Sequence, residues 1–288
     1  MRPKVTSDLS RFFQSVAIRM KFLLTLLTIL FVTLVSTQNT WAQNARARKA
    51  ARVRKARLGP YDELIQGVFA HAEKPMVENG LPLWIYGDYR MAEGRDLFPL
   101  VIVLHGRRNN AKPEDKFTPQ AIATPWAKEV AQIRNPGFVV QPYYPPKGGW
   151  EKIPEQLDAT VEHLMEHLPI DPDRVYLMGF SNGAQGTFQA LARSPDRYAG
   201  AITVAGPVGI KSVVGKIKTP IRAWVGENDH ELNKAKRSIA LAKALKESGV
   251  DIEIVVVEGA GHACHRVPLT DPLVHDWLYS QTRKLADQ

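Results

Sequence analysis

The chain has 288 residues, of which 44% are hydrophobic and 23% charged, a balance that excludes a disordered or fibrous polymer and allows a sizeable core. Its net charge of +9 is concentrated at the start: residues 1–42 hold five Lys/Arg and one Asp, residues 43–58 hold seven basic residues, and residues 59–288 carry a net charge of −2. That slightly acidic body gives no reason to expect nucleic acid as a partner, and a single cysteine, Cys264, excludes a disulfide framework within the chain.

Residues 22–35 form an apolar run preceded by Arg19 and Lys21 and followed by small and polar residues up to Trp41, Ala42 and Gln43. This pattern predicts a secretory signal peptide over residues 1–42, cleaved after Ala42, and hence a periplasmic or secreted protein. The alternative is an uncleaved membrane anchor through residues 22–35, a run short for a comfortable span. Residues 43–58 read as a basic, Ala-rich linker that cannot bury a core. It is either a solvated spacer or a means of adhering to an anionic surface. Its charge also opposes translocation of the apolar run before it.

From residue 83 onward strands alternate with helices. Strands are expected over residues 83–89, 100–104, 138–141, 174–178, 200–204, 221–225 and 252–257. Helices are expected over 125–134, 151–168, from the turn after residue 178 to 193, over 232–248 closed by Gly249, and over 271–285. In the second of these Ile153, Leu157, Val161, Leu164, Met165 and Leu168 share one face. Short apolar strands between amphipathic helices predict an α/β fold, with a mostly parallel sheet covered on both faces, in one domain over residues 59–288. Active groups of such sheets gather at the C-terminal strand ends.

Gly179-Phe180-Ser181-Asn182-Gly183 follows directly on the strand at 174–178. A serine that attacks a carbonyl must project from the sheet edge on a strained turn, where side chains two residues away would collide, so Gly179 and Gly183 relieve the crowding. Gly186 lets the next helix pack closely, with its N-terminal N–H groups aimed at the reacting oxygen.

Ser181 needs a base. Among eight histidines, His163 and His167 fall on the polar side of a helix and read as solvated, and His71 and His275 have no motif around them. His105 stands at a strand end, where it is better suited to shaping a loop. His262 follows the strand at 252–257 in Glu258-Gly259-Ala260-Gly261-His262, where small residues let an imidazole reach across. Asp229 ends the preceding strand and is the expected acid, with Glu227 and Asp251 as rivals. The expected oxyanion donors are the backbone N–H groups of Asn182 and Arg107. The Arg107 and Arg108 side chains are either surface charges or binders of an acidic part of a substrate. His262, Cys264 and His265 match no familiar zinc spacing, so neither metal nor cofactor is expected.

Leu100 to Gly106, Ile170 to Ser181, Gly226 to Asp229 and Gly259 to His262 together resemble the secreted carboxylesterase branch of the α/β-hydrolases. That branch includes feruloyl and acetylxylan esterases, polyhydroxybutyrate-depolymerase-like proteins, and relatives of dienelactone hydrolase and of prolyl-oligopeptidase catalytic domains. The resemblance spans about residues 97–284. It implies a serine esterase using a Ser181-Asp229-His262 triad on a small-molecule or polymer-attached ester. A peptidase and a catalytically silent binding protein are the alternatives. The chain departs from the pattern at Arg107 and Arg108, where relatives often have small residues, at Asn182 and Ala184, where Met and Gly are common, and at His230-Glu231-Leu232, where many have a Val-Pro turn.

Overall fold

The computed structural model describes residues 61, 63–88, 97–108, 112, 118, 122–144, 148–230 and 234–283. The leader expected over residues 1–42 and the basic linker at 43–58 lie outside the described residues. Among the described residues no helix is long and apolar enough to cross a membrane.

Eight strands make one sheet: β1 (Ala70–Ala72), β2 (Leu83–Tyr86), β3 (Phe98–Leu104), β4 (Phe138–Pro142), β5 (Ile170–Phe180), β6 (Gly200–Val204), β7 (Ile221–Gly226) and β8 (Ile252–Val257). Their order is β1-β2-β4-β3-β5-β6-β7-β8. β1 pairs antiparallel with β2, and β2 antiparallel with β4. Every later pairing is parallel. The helices are α1 (Glu129–Arg134), α2 (Pro154–His167), α3 (Asn182–Arg193), α4 (Ile210–Val213), α5 (Lys234–Glu247), α6 (Arg266–Thr270) and α7 (Pro272–Ser280), with 3₁₀ turns at Thr124–Ala127 and Trp150–Lys152.

The two-residue period of a strand sorts each central strand between two cores. Leu100, Ile102, Leu104, Val175 and Leu177 point to one face, which is covered by Leu157, Val161 and Leu164 of α2, Phe188 and Leu191 of α3, and Leu241 and Leu245 of α5. Val101, Val103, Tyr176 and Met178 point to the other, which is covered by Trp126, Leu269 of α6 and Leu278 of α7. All seven residues of β3 are buried, as a strand covered on both faces requires.

The expected elements are present, but several boundaries move for identifiable reasons. The helix expected over 125–134 is two pieces, because Lys128 is extended (φ −65°, ψ 145°). The break lets Trp126 turn inward, where its ring stacks on His275 at 3.9 Å and its Nε1–H donates to Met178 Sδ at 3.1 Å. The helix expected from 151 begins only at Pro154, which occupies its first turn, where the missing N–H costs nothing. The last helix stops at Ser280. Beyond it the chain turns back to β5, with Arg283 N donating to Asp173 O at 2.9 Å.

β5 starts four residues earlier than expected, pairing Ile170 with Phe98 across a register shift. β1, α4 and α6 have no periodic signal and were not expected. The first of these places His71, which no motif marks, inside the sheet. His71 pairs with Trp84, stacks on it at 4.5 Å, and shares a 2.8 Å hydrogen bond between its Nε2 and Tyr143 Oη.

Leu164 is fully buried at the centre of the α2 contact. Leu164→Ala is expected to destabilise the fold by about 2–5 kcal/mol. Urea unfolding of the variant beside the parent checks this, and a change under 1 kcal/mol would mean that α2 packs loosely.

Candidate active site

Ser181 occupies the turn between β5 and α3 with φ 56° and ψ −116°, a conformation that a non-glycine residue holds only under constraint. Ser181 N donates to Val204 O of β6 at 2.8 Å, and Gln185 N donates to Ser181 O at 3.2 Å. A Cβ on Gly183 would overlap the carbonyl oxygen of Leu104, and one on Gly179 would overlap the Gly183 carbonyl. The glycines therefore let α3 begin against the backbone of β3. At Gly186 a Cβ would come within 2.6 Å of Trp150 Cβ, so this glycine accommodates the 3₁₀ turn at Trp150–Lys152 more than the sheet.

His262 and Asp229 arrive on neighbouring loops after β8 and β7. Gly226 holds those loops together, since a Cβ there would overlap the carbonyl oxygens of Ala260 and Gly261, and Asn228 N donates to Ala260 O at 2.8 Å. His262 Nε2 lies 3.0 Å from Ser181 Oγ, and His262 Nδ1 lies 2.8 Å from Asp229 Oδ2. The Asp229 side chain is 1% exposed and, as a carboxylate, can only accept. The proton on the imidazole then sits on Nδ1, which leaves the Nε2 lone pair facing the serine hydroxyl. The rival carboxylates are engaged elsewhere: Glu227 Oε2 accepts from Gly259 N at 2.9 Å, and Asp251 pairs with Arg222 at 3.4 Å.

Asn182 is the first residue of α3, so its N–H has no partner within the helix. The loop after β3 passes directly beside the serine, because a Cβ on Gly106 would stand 3.5 Å from Ser181 Cβ. Arg107 is the next residue along. Its guanidinium lies 3.5 Å from Glu151 Oε1. The positive charge read as a possible anchor for an acidic substrate group thus has a carboxylate beside it.

Sequence reasoning gave the Asn182 side chain no role, yet it is the hub of this loop system. Its Oδ1 accepts from Tyr144 Oη at 3.0 Å and Trp150 N at 3.2 Å. Its Nδ2 donates to Glu151 Oε2 and Gln185 Oε1, both at 3.1 Å. Trp150 Nε1–H in turn donates to His105 O at 2.8 Å. Burial works to raise the Glu151 carboxyl, but hydrogen bonds from Asn182 and its own backbone, with the Arg107 and Lys152 charges, outweigh it and hold the group below its usual range. Both expected donor segments, the loop after β3 and the start of α3, are tied through Asn182. An asparagine after a serine carries no signal of this in the sequence.

Lys234 was also missed. It is 6% exposed, with Nζ 3.5 Å from His262 Nδ1. A lysine opening a helix ordinarily reads as solvated. Cys264 is buried nearby, where burial and the Asp229 charge push its thiol up to about 11, so it stays protonated at neutral pH. His265 packs on Phe180 at 4.6 Å, and burial, with Arg266 and His262, lowers its pKa.

Residues 146–267 match the family described as "Dienelactone hydrolase family". Among curated proteins, "Putative esterase NocK" of Nocardia uniformis subsp. tsuyamanensis is 31% identical over 129 residues, which covers 40% of this chain and 34% of that protein. The chain therefore spans about a third of that relative. Among solved structures, a thermostable esterase superposes with a TM-score of 0.63 at 24% identity, covering 75% of this chain and 63% of the other. A ferulic acid esterase superposes with a TM-score of 0.57 at 13% identity, covering 74% and 96%. At these identities the structural likeness establishes the fold.

His105 is fully buried, between the rings of Tyr144 at 4.5 Å and Trp150 at 5.2 Å. Its Nδ1–H donates to Gly106 O at 2.6 Å. Burial holds its pKa down at about 4, against a bond to Gly106 that favours the charged form, and Arg108 adds to the lowering. The unfolded chain takes up this proton near pH 6.5, whereas the folded chain refuses it until about pH 4. The corresponding stability is complete above pH 6.5 and is lost as pH falls toward 4, by about 3 kcal/mol. In urea unfolding across that window, His105→Gln is expected to lose less stability on acidification than the parent. Parallel curves would show that His105 is protonated in the fold.

Proposed function

We propose that this chain, whose fold is that of the α/β-hydrolases, is a serine esterase that cleaves a carboxylic ester through an acyl-enzyme. The observation that carries the reading is the continuous chain from Ser181 Oγ to His262 at 3.0 Å and from His262 to the buried Asp229 at 2.8 Å, set on a turn strained at the serine. The match of residues 146–267 to a hydrolase family and the esterase names among relatives support it.

In this reading Ser181 Oγ attacks the ester carbonyl carbon while His262 Nε2 takes the hydroxyl proton. Asp229 holds the imidazole by Nδ1–H and stabilises the imidazolium. The negative charge that develops on the carbonyl oxygen is met by the backbone N–H groups of Asn182 and Arg107, fixed beforehand by the Asn182 side-chain network. His262 then protonates the departing alkoxide. Water, deprotonated by the same nitrogen, attacks the acyl-enzyme, and the returned proton restores Ser181.

Ser181→Ala and His262→Ala are each expected to lower kcat on p-nitrophenyl esters by about 10⁴-fold or more, and Asp229→Asn by a similar factor through the wrong tautomer. A fluorophosphonate probe should label the parent and not Ser181→Ala. An unlabelled parent would make the chain a silent binding fold. A tenth of parental kcat in either alanine variant would overturn the assignment.

We further propose that residues 22–35 direct export, with cleavage near Ala42, and that the seven basic residues of 43–58 then adhere to an anionic surface. A protein starting at Gly59 is expected to keep full activity on a soluble ester and to lose salt-sensitive binding to anionic vesicles, which is present when residues 43–58 are retained. Equal vesicle binding by both at low salt would reduce the segment to a spacer.

A further inference from the structure

The last two turns of α2 carry the pattern His163-Leu164-Met165-Glu166-His167, with Leu164 in the core and the two histidines and the glutamate on the outward side. Positions i, i+3 and i+4 share one helix face. One donor atom from each of His163, Glu166 and His167 lies within 4.8 Å of the others. Sequence reasoning took both histidines as solvated, but they are half-buried, with ring centroids 4.0 Å apart, and His163 packs on the buried ring of Tyr61 at 5.6 Å.

We propose that His163, Glu166 and His167 bind one divalent transition-metal ion of the zinc type.

Two observations carry this. His167 Nδ1–H donates to the His163 carbonyl oxygen at 3.0 Å, which fixes the tautomer and leaves the Nε2 lone pair for a ligand, as carbonyl partners do for histidines on metals. His163 Nε2 is buried with no hydrogen-bond partner among the described residues, so an ion gives this ring an interaction the fold does not. Two imidazoles and one carboxylate suit a borderline ion such as zinc, nickel or cobalt, and lack the oxygen count that calcium wants. Ligands on one zinc stand about 3.3–3.5 Å apart, and Glu166 is exposed and free to swing the remaining distance.

The place is separate from Ser181. α2 ends at His167, just before β5 starts at Ile170, and Ser181 follows the far end of that strand, which runs beside the seven residues of β3 and so lies on the order of 20 Å away. The ion would tighten the end of α2 and take no part in ester cleavage.

The test uses the full chain freed of metal by a chelator. Zinc titrated by calorimetry is expected to saturate at one ion per chain, with cobalt giving a visible spectrum of nitrogen and oxygen coordination, and calcium giving no heat. Zinc at about 100 times its Kd should raise Tm by about 5 °C or more. His167→Gln and the exposed Glu166→Gln are expected to weaken zinc binding, the former by at least about 10-fold. Each should keep the parental hydrolysis rate and circular dichroism. Zinc binding unchanged in both variants would place the ion elsewhere, and absence of binding or of a Tm change in the parent would leave the two histidines as packing for Tyr61; either result overturns the proposal.

Discussion

The structure depends on one constraint: the backbone of Ser181 must stay at φ 56° and ψ −116°, and nothing local favours that conformation. It is kept by the close seating of α3 on the sheet, where Gly183 meets the Leu104 carbonyl and Gly179 meets Gly183 with no room for a Cβ. A hydrogen bond from Ser181 N to Val204 O pins the turn from the β6 side. The strain is thus distributed over β3, the buried end of β5, and β6, which can hold it because a close-packed interior does not yield continuously. Gly206 continues the same logic, since a Cβ there would overlap the Ser181 carbonyl.

Around that turn several polar groups are buried in a hydrogen-bonded network. Asn182 uses both side-chain atoms twice, joining Tyr144, Trp150, Glu151 and Gln185. Trp150 and His105 link this hub to the loop that carries Gly106 and Arg107. In a low-dielectric interior such a network is rigid only when each member is paired, and a truncation would leave several donors and acceptors exposed to that cost. Asn182 and Arg107 are therefore coupled through Glu151, which touches both.

The histidines show how environment assigns roles to one residue type. His262 is held between a hydroxyl and a carboxylate, His105 is buried and neutral against two aromatic rings, His275 is a flat partner for Trp126, and His71 is a strand residue stacked on Trp84. Only the setting of His262 had a local signal, the small residues Gly259, Ala260 and Gly261 before it.

Sequence alone determined what depends on short-range pattern. The strands at 200–204 and 252–257 were legible because short, mostly apolar runs bounded by turns specify strands, although the second lies at the sheet edge and is largely exposed, and Ser181, Asp229 and His262 were read after three strands in chain order, β5, β7 and β8. The start of α2 was misplaced at residue 151, because the apolar spacing runs past Pro154, which holds the first turn. Tertiary structure alone decided the rest: that β1 joins the sheet, that Lys128 breaks a helix so Trp126 can be buried, that Glu227 and Asp251 turn to Gly259 and Arg222, and that the Asn182 side chain ties together two loops. These depend on contacts between residues far apart in the chain, and such contacts are set by which surfaces the sheet brings together, a matter on which a local run of residues is silent.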